Sequence, residues 1–200
     1  MQHGRASPCP FNQPKLGVMM IFGLFRKKNA NQRIVERQYA HLTAAARQPH
    51  LYESLGVPDT VMGRLEMLSA VLILYFRRTR VSGRSGQEIA QQIVDAFFQD
   101  VDHSIRELGI SDVGVPKRMK KLAGRFYGRL ESYATALDAS DEEALAQALK
   151  RNIYPDDIES APDMQGLAHY LSAAEAHLAA LDEFVIETGD AQLPPAGAAA

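Results

Sequence analysis

The sequence predicts an all-α protein: a single helical bundle of about six helices, with a disordered N-terminal leader and a disordered C-terminal tail. Three observations lead there. Apolar residues recur at three- and four-residue spacing along most of the chain, no extended segment alternates like a half-buried strand, and no repeat of solenoid or propeller period occurs. Two hundred residues, 46 % hydrophobic and 23 % charged, suffice to close one core and make two full domains improbable. The single cysteine, Cys9, leaves no disulfide framework and no cysteine-based metal site within one chain, which suits a reducing compartment.

The elements follow in order. A first helix is expected over Asn29 to Gln48, with Ile34, Tyr39, Leu42 and Ala46 on one side and Pro49 closing it, and His50 to Pro58 reads as a loop. Asp59 is placed to cap a central second helix with apolar positions Met62, Leu65, Leu68, Leu72, Tyr75 and Phe76. Ser85 and Glu88 form a capping box for a third, along which Ile89, Ile93, Phe97, Val101, Ile105 and Leu108 keep one face apolar until Gly109 ends it. Pro116 fits the first turn of a fourth, carried by Met119, Leu122, Phe126, Leu130, Tyr133 and Leu137. Ser140 and Glu143 box a short fifth, Tyr154 to Pro162 reads as a turn, and Met164, Leu167, Leu171, Ala174, Leu178, Leu181 and Val185 give one final helix. These divisions set a flexible leader at 1–28, a helical domain at 29–188 and a disordered tail at 189–200.

Two apolar runs free of charge, Leu16 to Phe25 and Met67 to Phe76, are each about half the length of a spanning helix. Arg26, Lys27 and Lys28 follow the first run where a secretory cleavage site would need small residues, and that pairing of apolar and cationic residues suits a membrane interface. Met19 and Met20 are alternative initiation positions to Met1.

Charge is divided along the chain. Residues 1–130 hold 20 basic and 10 acidic residues, and residues 131–200 hold 2 and 14, so a net charge of −2 hides segments of +10 and −12. Such asymmetry marks either a basic surface that meets an anionic partner or internal pairing. The densest basic feature is Lys117, Arg118, Lys120, Lys121, Arg125 and Arg129, with no acid between Gly114 and Leu130. Steps of four residues advance about 400°, so most of these cations share a slowly drifting stripe. The stripe would grip nucleic-acid phosphates or an acidic partner helix. Gly124 and Gly128, four residues apart, leave a flat strip beside it, for which close internal packing is the leading explanation.

A second cluster, Arg77, Arg78, Arg80 and Arg84, reads as a mobile basic loop, and Gly83-Arg84-Ser85-Gly86 lacks the lysine and glycine spacing of a phosphate-binding loop. The six histidines show no paired metal-ligand spacing. Asp95, Asp100, Asp102 and His103 crowd the third helix, where a solvated face is the expected reading. Neither catalysis nor a cofactor is indicated.

The run Phe97-Phe98-Gln99-Asp100-Val101-Asp102, then Ile105-Arg106-Glu107-Leu108-Gly109-Ile110-Ser111-Asp112, then Val115-Pro116-Lys117-Arg118-Met119-Lys120-Lys121-Leu122-Ala123 and Phe126-Tyr127-Gly128-Arg129, resembles the ubiquinol-cytochrome c chaperone family. Leu51-Tyr52 and Val57-Pro58-Asp59 resemble its entry segment, and the likeness covers about Gln48 to Leu181, with the look of a bacterial member. The resemblance implies an all-helical, non-enzymatic assembly factor for the ubiquinol-cytochrome c reductase complex, with cytochrome b as client. It further implies a small partner protein and a ribosome contact. The basic residues Lys117, Arg118, Lys120, Lys121, Arg125 and Arg129 are the expected partner, ribosome or anionic-membrane surface. The expected location is the cytoplasm, peripheral at the inner membrane, or the mitochondrion in a eukaryote. The competing class is a helical RNA-binding protein using the same stripe.

Overall fold

A computed structural model describes residues 16–107 and 114–197. Every regular element among them is a helix: α1 (Leu16–Ala46), α2 (Pro49–Glu53), α3 (Val61–Thr79), α4 (Arg84–Glu107), α5 (Val115–Asp138), α6 (Glu142–Ile153), α7 (Gln165–Ala180) and α8 (Glu183–Thr188). The chain divides into two units, one ending at Arg33 and one beginning at Ile34. In the first, the described residues from Leu16 are helical. The second contains the bundle.

The bundle is built around α3. Val71, Leu72, Ile73 and Tyr75 are wholly buried, because the apolar run leaves no side of this helix polar enough to face water. It packs against α4, α5, α6 and α7. Helix α4 buries Ile89, Ile93, Phe97, Val101 and Ile105, the stripe read from spacing.

Where helices begin departs from the expected caps. Thr60, with extended backbone, accepts a hydrogen bond at its Oγ1 from the Gly63 N–H at 3.1 Å, while Asp59 lies one residue too early to reach and instead pairs with Arg64 at 2.7 Å. Asp141 caps α6, accepting from the Ala144 N–H at 2.9 Å, because Ser140 is held in a left-handed turn at φ 52°. Helix α4 starts at Arg84, so Ser85 already lies inside it and Glu88 pairs with Arg84. Its N-terminal end is met by Glu183 of α8, which accepts from the Gly83 N–H at 3.0 Å. A carboxylate there is favoured by the unpaired N–H groups and the helix dipole.

Other boundaries shift as well. Helix α1 starts well before Asn29, since no proline follows Pro14 to interrupt it. Pro49 opens the one-turn helix α2 inside the expected loop. The expected single final helix breaks at Leu181, where the backbone is extended and Asp182 caps α8 through the Phe184 N–H at 2.8 Å. The expected cap Gly109 and Cys9 lie outside the described residues.

The segment after α8 is also corrected. Residues 190–197, expected as a disordered tail, are laid against the bundle with Ala191 fully buried and Ala196 nearly so. Gly189 makes the turn that sends them there: its φ is +73°, and a Cβ would stand 2.5 Å from the Ile34 carbonyl oxygen.

Candidate interaction surfaces

Helix α5 has two opposed faces. Phe126, Tyr133, Ala136 and Leu137 point inward, and the Phe126 ring meets Phe76, Phe97 and Phe98 at centroid distances of 6.2, 5.6 and 5.9 Å. That aromatic contact ties α5 to α3 and α4. On the other face Lys117, Arg118, Lys120, Lys121 and Arg125 are exposed. Lys117, Arg118, Lys120 and Lys121 have no ion-pair partner among the described residues.

Gly124 and Gly128 lie on this cationic face, and a Cβ at either would meet nothing within 4 Å. Internal packing, the expected reason for them, is thereby excluded among the described residues. Beside them Tyr127 is 59 % exposed, its ring edge-on to Phe126 at 5.9 Å.

Arg129 does not belong to this surface. Its side chain is 6 % exposed, and Nη2 donates to Oε1 of Glu66, which is 5 % exposed, on α3. The stripe drifts about 40° per four-residue step, so three steps from Lys117 carry it about 120° around, onto the core side. Burial holds the Glu66 carboxyl above its usual range, even against the attraction of Arg129 and Arg125. Oε2 of Glu66 and Nε of Arg129 have no hydrogen-bond partner among the described residues. Nearby, burial and then the Glu66 charge keep the Tyr133 phenol protonated.

The second basic cluster is a brace rather than a loop. Arg77 is ion-paired to Glu175 of α7 and to Asp138 of α5 at 2.7 Å. Arg78 donates to the Leu178 and Leu181 carbonyls at 3.1 and 3.0 Å, to the Ser82 hydroxyl at 3.0 Å and to Glu183 at 3.1 Å. One guanidinium thus joins the C-terminal ends of α3 and α7 to the N-terminal ends of α4 and α8. Partial desolvation works to raise the Glu183 carboxyl, but hydrogen bonds from Ser82, the Gly83 N–H and Arg78 hold it below the usual range. The open cleft here has a volume of about 560 Å³, but Glu142, Glu175 and Glu183 line it together with Arg77, Arg78 and Arg80. Balanced charge gives it no pull on a phosphate chain.

The acidic residues of α4 are paired locally. Asp95 accepts from Gln91 at 3.0 Å, Asp102 binds Arg106 at 2.7 Å, and His103 faces Glu107 at 3.3 Å. Asp100 faces Tyr39, whose phenol is raised first by burial and then by that carboxylate. Among the described residues no three histidine, cysteine or acidic side chains gather as a metal site. No described helix is long and apolar enough to cross a membrane.

Sequence reading missed Glu66, Glu183 and the glutamines Gln38 and Gln48. Glu66 carried a signal: a carboxylate three residues from Gly63 and four from Ala70, on the buried side of an apolar helix. Gln38 did too, standing between Val35 and Leu42 at helical spacing.

The model of the ubiquinol-cytochrome C chaperone family matches residues 53–193. The chain belongs to this family. Its match runs past Leu181, where the resemblance was expected to end, through α8 and into the segment that follows. The chain is 25 % identical over 140 residues to the ubiquinol-cytochrome-c reductase complex assembly factor 1 of Xenopus laevis, covering 70 % of each chain. Identity is also 25 % over 119 residues with the mouse assembly factor 1, across 59 % of this chain and 40 % of that one. The crystal structure of the Cbp3 homologue from Brucella abortus aligns with a TM-score of 0.81 at 47 % identity, covering 90 % of this chain and 99 % of that chain. As a family member, the chain is an assembly chaperone by class.

Proposed function

We propose that this protein is a non-enzymatic assembly chaperone for the ubiquinol-cytochrome c reductase complex. Its client is cytochrome b, held on an apolar helical surface, and the cationic face of α5 is its partner contact. One observation carries the contact: four exposed cations without ion-pair partners, beside two glycines without internal packing, both among the described residues. Like charges four residues apart weaken an isolated helix by about 0.2–0.5 kcal/mol per pair, and each interior glycine by about 1 kcal/mol. A face that gives up this much intrinsic stability without an internal return is suited to a partner. Lys117, Arg118, Lys120, Lys121 and Arg125 make the contact, and Arg129 supports it from the core. The protein acts in the cytoplasm at the periphery of the membrane that receives the reductase. A small acidic partner protein is the favoured occupant, ahead of the ribosome and anionic lipid.

The test is Lys120→Glu with Lys121→Glu, introduced by complementation into a strain lacking the gene. Reduced-minus-oxidised spectra of membranes should lose the reductase's b-haem signal on deletion, regain it with the wild-type gene and regain little with the variant. Circular dichroism of the variant should keep its helical content. Full restoration by the double variant would refute the α5 contact, and an unchanged b-haem signal on deletion would refute the client. RNA binding is tested on purified protein, where it requires an affinity falling steeply with salt. Of the two basic clusters, only the α5 face is offered for it, because Arg77 and Arg78 are committed internally.

A further inference from the structure

The segment that follows α8 is held by its backbone. Gln38, on α1 and 0 % exposed, donates from Nε2 to the Ala191 carbonyl at 2.7 Å and accepts at Oε1 from the Ala191 N–H at 3.0 Å. Gln48 repeats the arrangement, accepting from the Ala196 N–H at 2.7 Å and reaching the Pro194 carbonyl at 3.5 Å, a carbonyl to which Tyr170 also donates at 3.3 Å. Two glutamines ten apart thus read alanines five apart, Gln38 from within α1 and Gln48 from the turn between α1 and α2. The residues beside the two alanines face away: Gln192 and Pro195 are exposed. Just before Ala191, Asp190 pairs with Arg37 at 3.2 Å.

A buried carboxamide with both of its hydrogen-bonding groups turned to the N–H and C=O of one residue is a recognition device for extended backbone, indifferent to side chains except that they be small. Emptied, the groove would leave the Gln38 carboxamide without either of its bonds to the strap, and another extended peptide would restore both. We propose that this groove along α1 is a peptide-recognition site which the chain occupies in cis with residues 190–197. In trans it takes an extended segment of another protein. That segment carries an acidic residue where Asp190 lies, then small residues at the positions of Ala191 and Ala196. The acid answers Arg37, and the small residues answer the closed space around the two alanines. The strap therefore sets a threshold: an incoming segment binds only as far as it outcompetes the chain's own.

The experiment uses the full chain and a labelled synthetic peptide with the sequence of residues 189–197. Replacing Ala191→Tyr places a ring where no space exists and should expel the strap, so peptide affinity measured by fluorescence anisotropy should rise at least about tenfold over wild type, the gain expected when the competent state goes from a minor to the major population. Adding Gln38→Ala to that variant should abolish the gain. A folded Ala191→Tyr chain that binds the peptide no better than wild type would overturn the proposal. So would a wild-type dimer that the peptide dissociates, since the occupant in trans would then be a second copy. Should the variant not fold, native-state hydrogen exchange on the wild type decides. The Ala191 and Ala196 amides are expected to exchange together and well before the amides of α3, and exchange only with global unfolding would make the strap a fixed part of the core.

Discussion

Removing the Glu66 carboxylate tests the least expected feature of the bundle, the ion pair between α3 and α5. Both side chains are almost wholly enclosed, at 5 % and 6 % exposure, and each retains one polar atom without a partner among the described residues. In Glu66→Ala the guanidinium of Arg129 stays in the core with no countercharge, a change worth about 3–5 kcal/mol. At a urea slope of about 2 kcal/mol per M, a loss of about 4 kcal/mol lowers the unfolding midpoint by about 2 M. Combining Glu66→Leu with Arg129→Met removes both charges and both orphaned atoms, and the double variant should unfold within about 1 kcal/mol of wild type or be more stable. Arg129→Met alone carries a pH signature. The carboxyl it leaves behind is raised further than in wild type, so the folded state binds its proton over a range where the unfolded chain has lost it. The stability of this variant relative to wild type should therefore improve as pH falls through the folded pKa toward the lower unfolded one, and be lost again as pH rises through the folded pKa. Equilibrium urea unfolding followed by far-ultraviolet circular dichroism reads all three. A Glu66→Ala loss below about 1 kcal/mol, or a double variant that loses the sum of the singles, would refute the reasoning.

Three further predictions rest on local geometry. Gly124→Ala and Gly128→Ala should each stabilise the protein by about 1 kcal/mol in thermal unfolding, because the added methyl meets nothing while helix propensity improves. Gly86→Ala has the opposite sign, at a loss of about 1–3 kcal/mol, since its Cβ would stand 2.7 Å from Ser82 Cβ and 3.2 Å from Glu183 Oε1. Glu183→Gln should destabilise near neutral pH, and the gap to wild type should narrow in acid. The native carboxyl is held below the usual carboxylate range, so its contribution is present above the unfolded pKa and lost as pH falls through the folded pKa.

The all-helical fold was legible because its signals are local. In α4 the buried Ile89, Ile93, Phe97, Val101 and Ile105 repeat within one helix, and no distant residue is needed to see the face they make. Caps were harder, because Thr60 rather than Asp59 was selected by a backbone angle that spacing does not carry. The basic surface was legible from Lys117 to Arg125 and failed at Arg129, whose partner lies 63 residues earlier on another helix. Arg77 and Arg78 were misread for the same reason: their carboxylates and carbonyls come from α5, α7 and α8. The strap was hidden by composition. Alanine, proline and glycine read as disorder when the groove that holds them belongs to a helix about 150 residues away, as the separation of 153 between Gln38 and Ala191 shows.

That separation has a consequence in time. A ribosome adds about 5–20 residues per second, so roughly 8–30 s pass between the making of Gln38 and the making of the residue that satisfies it. Throughout that interval a nascent α1 has no chain of its own to lie in its groove. The groove has no competing occupant until residues 190–197 have been made, so the synthesis of this segment acts as the event that first brings competition to this site.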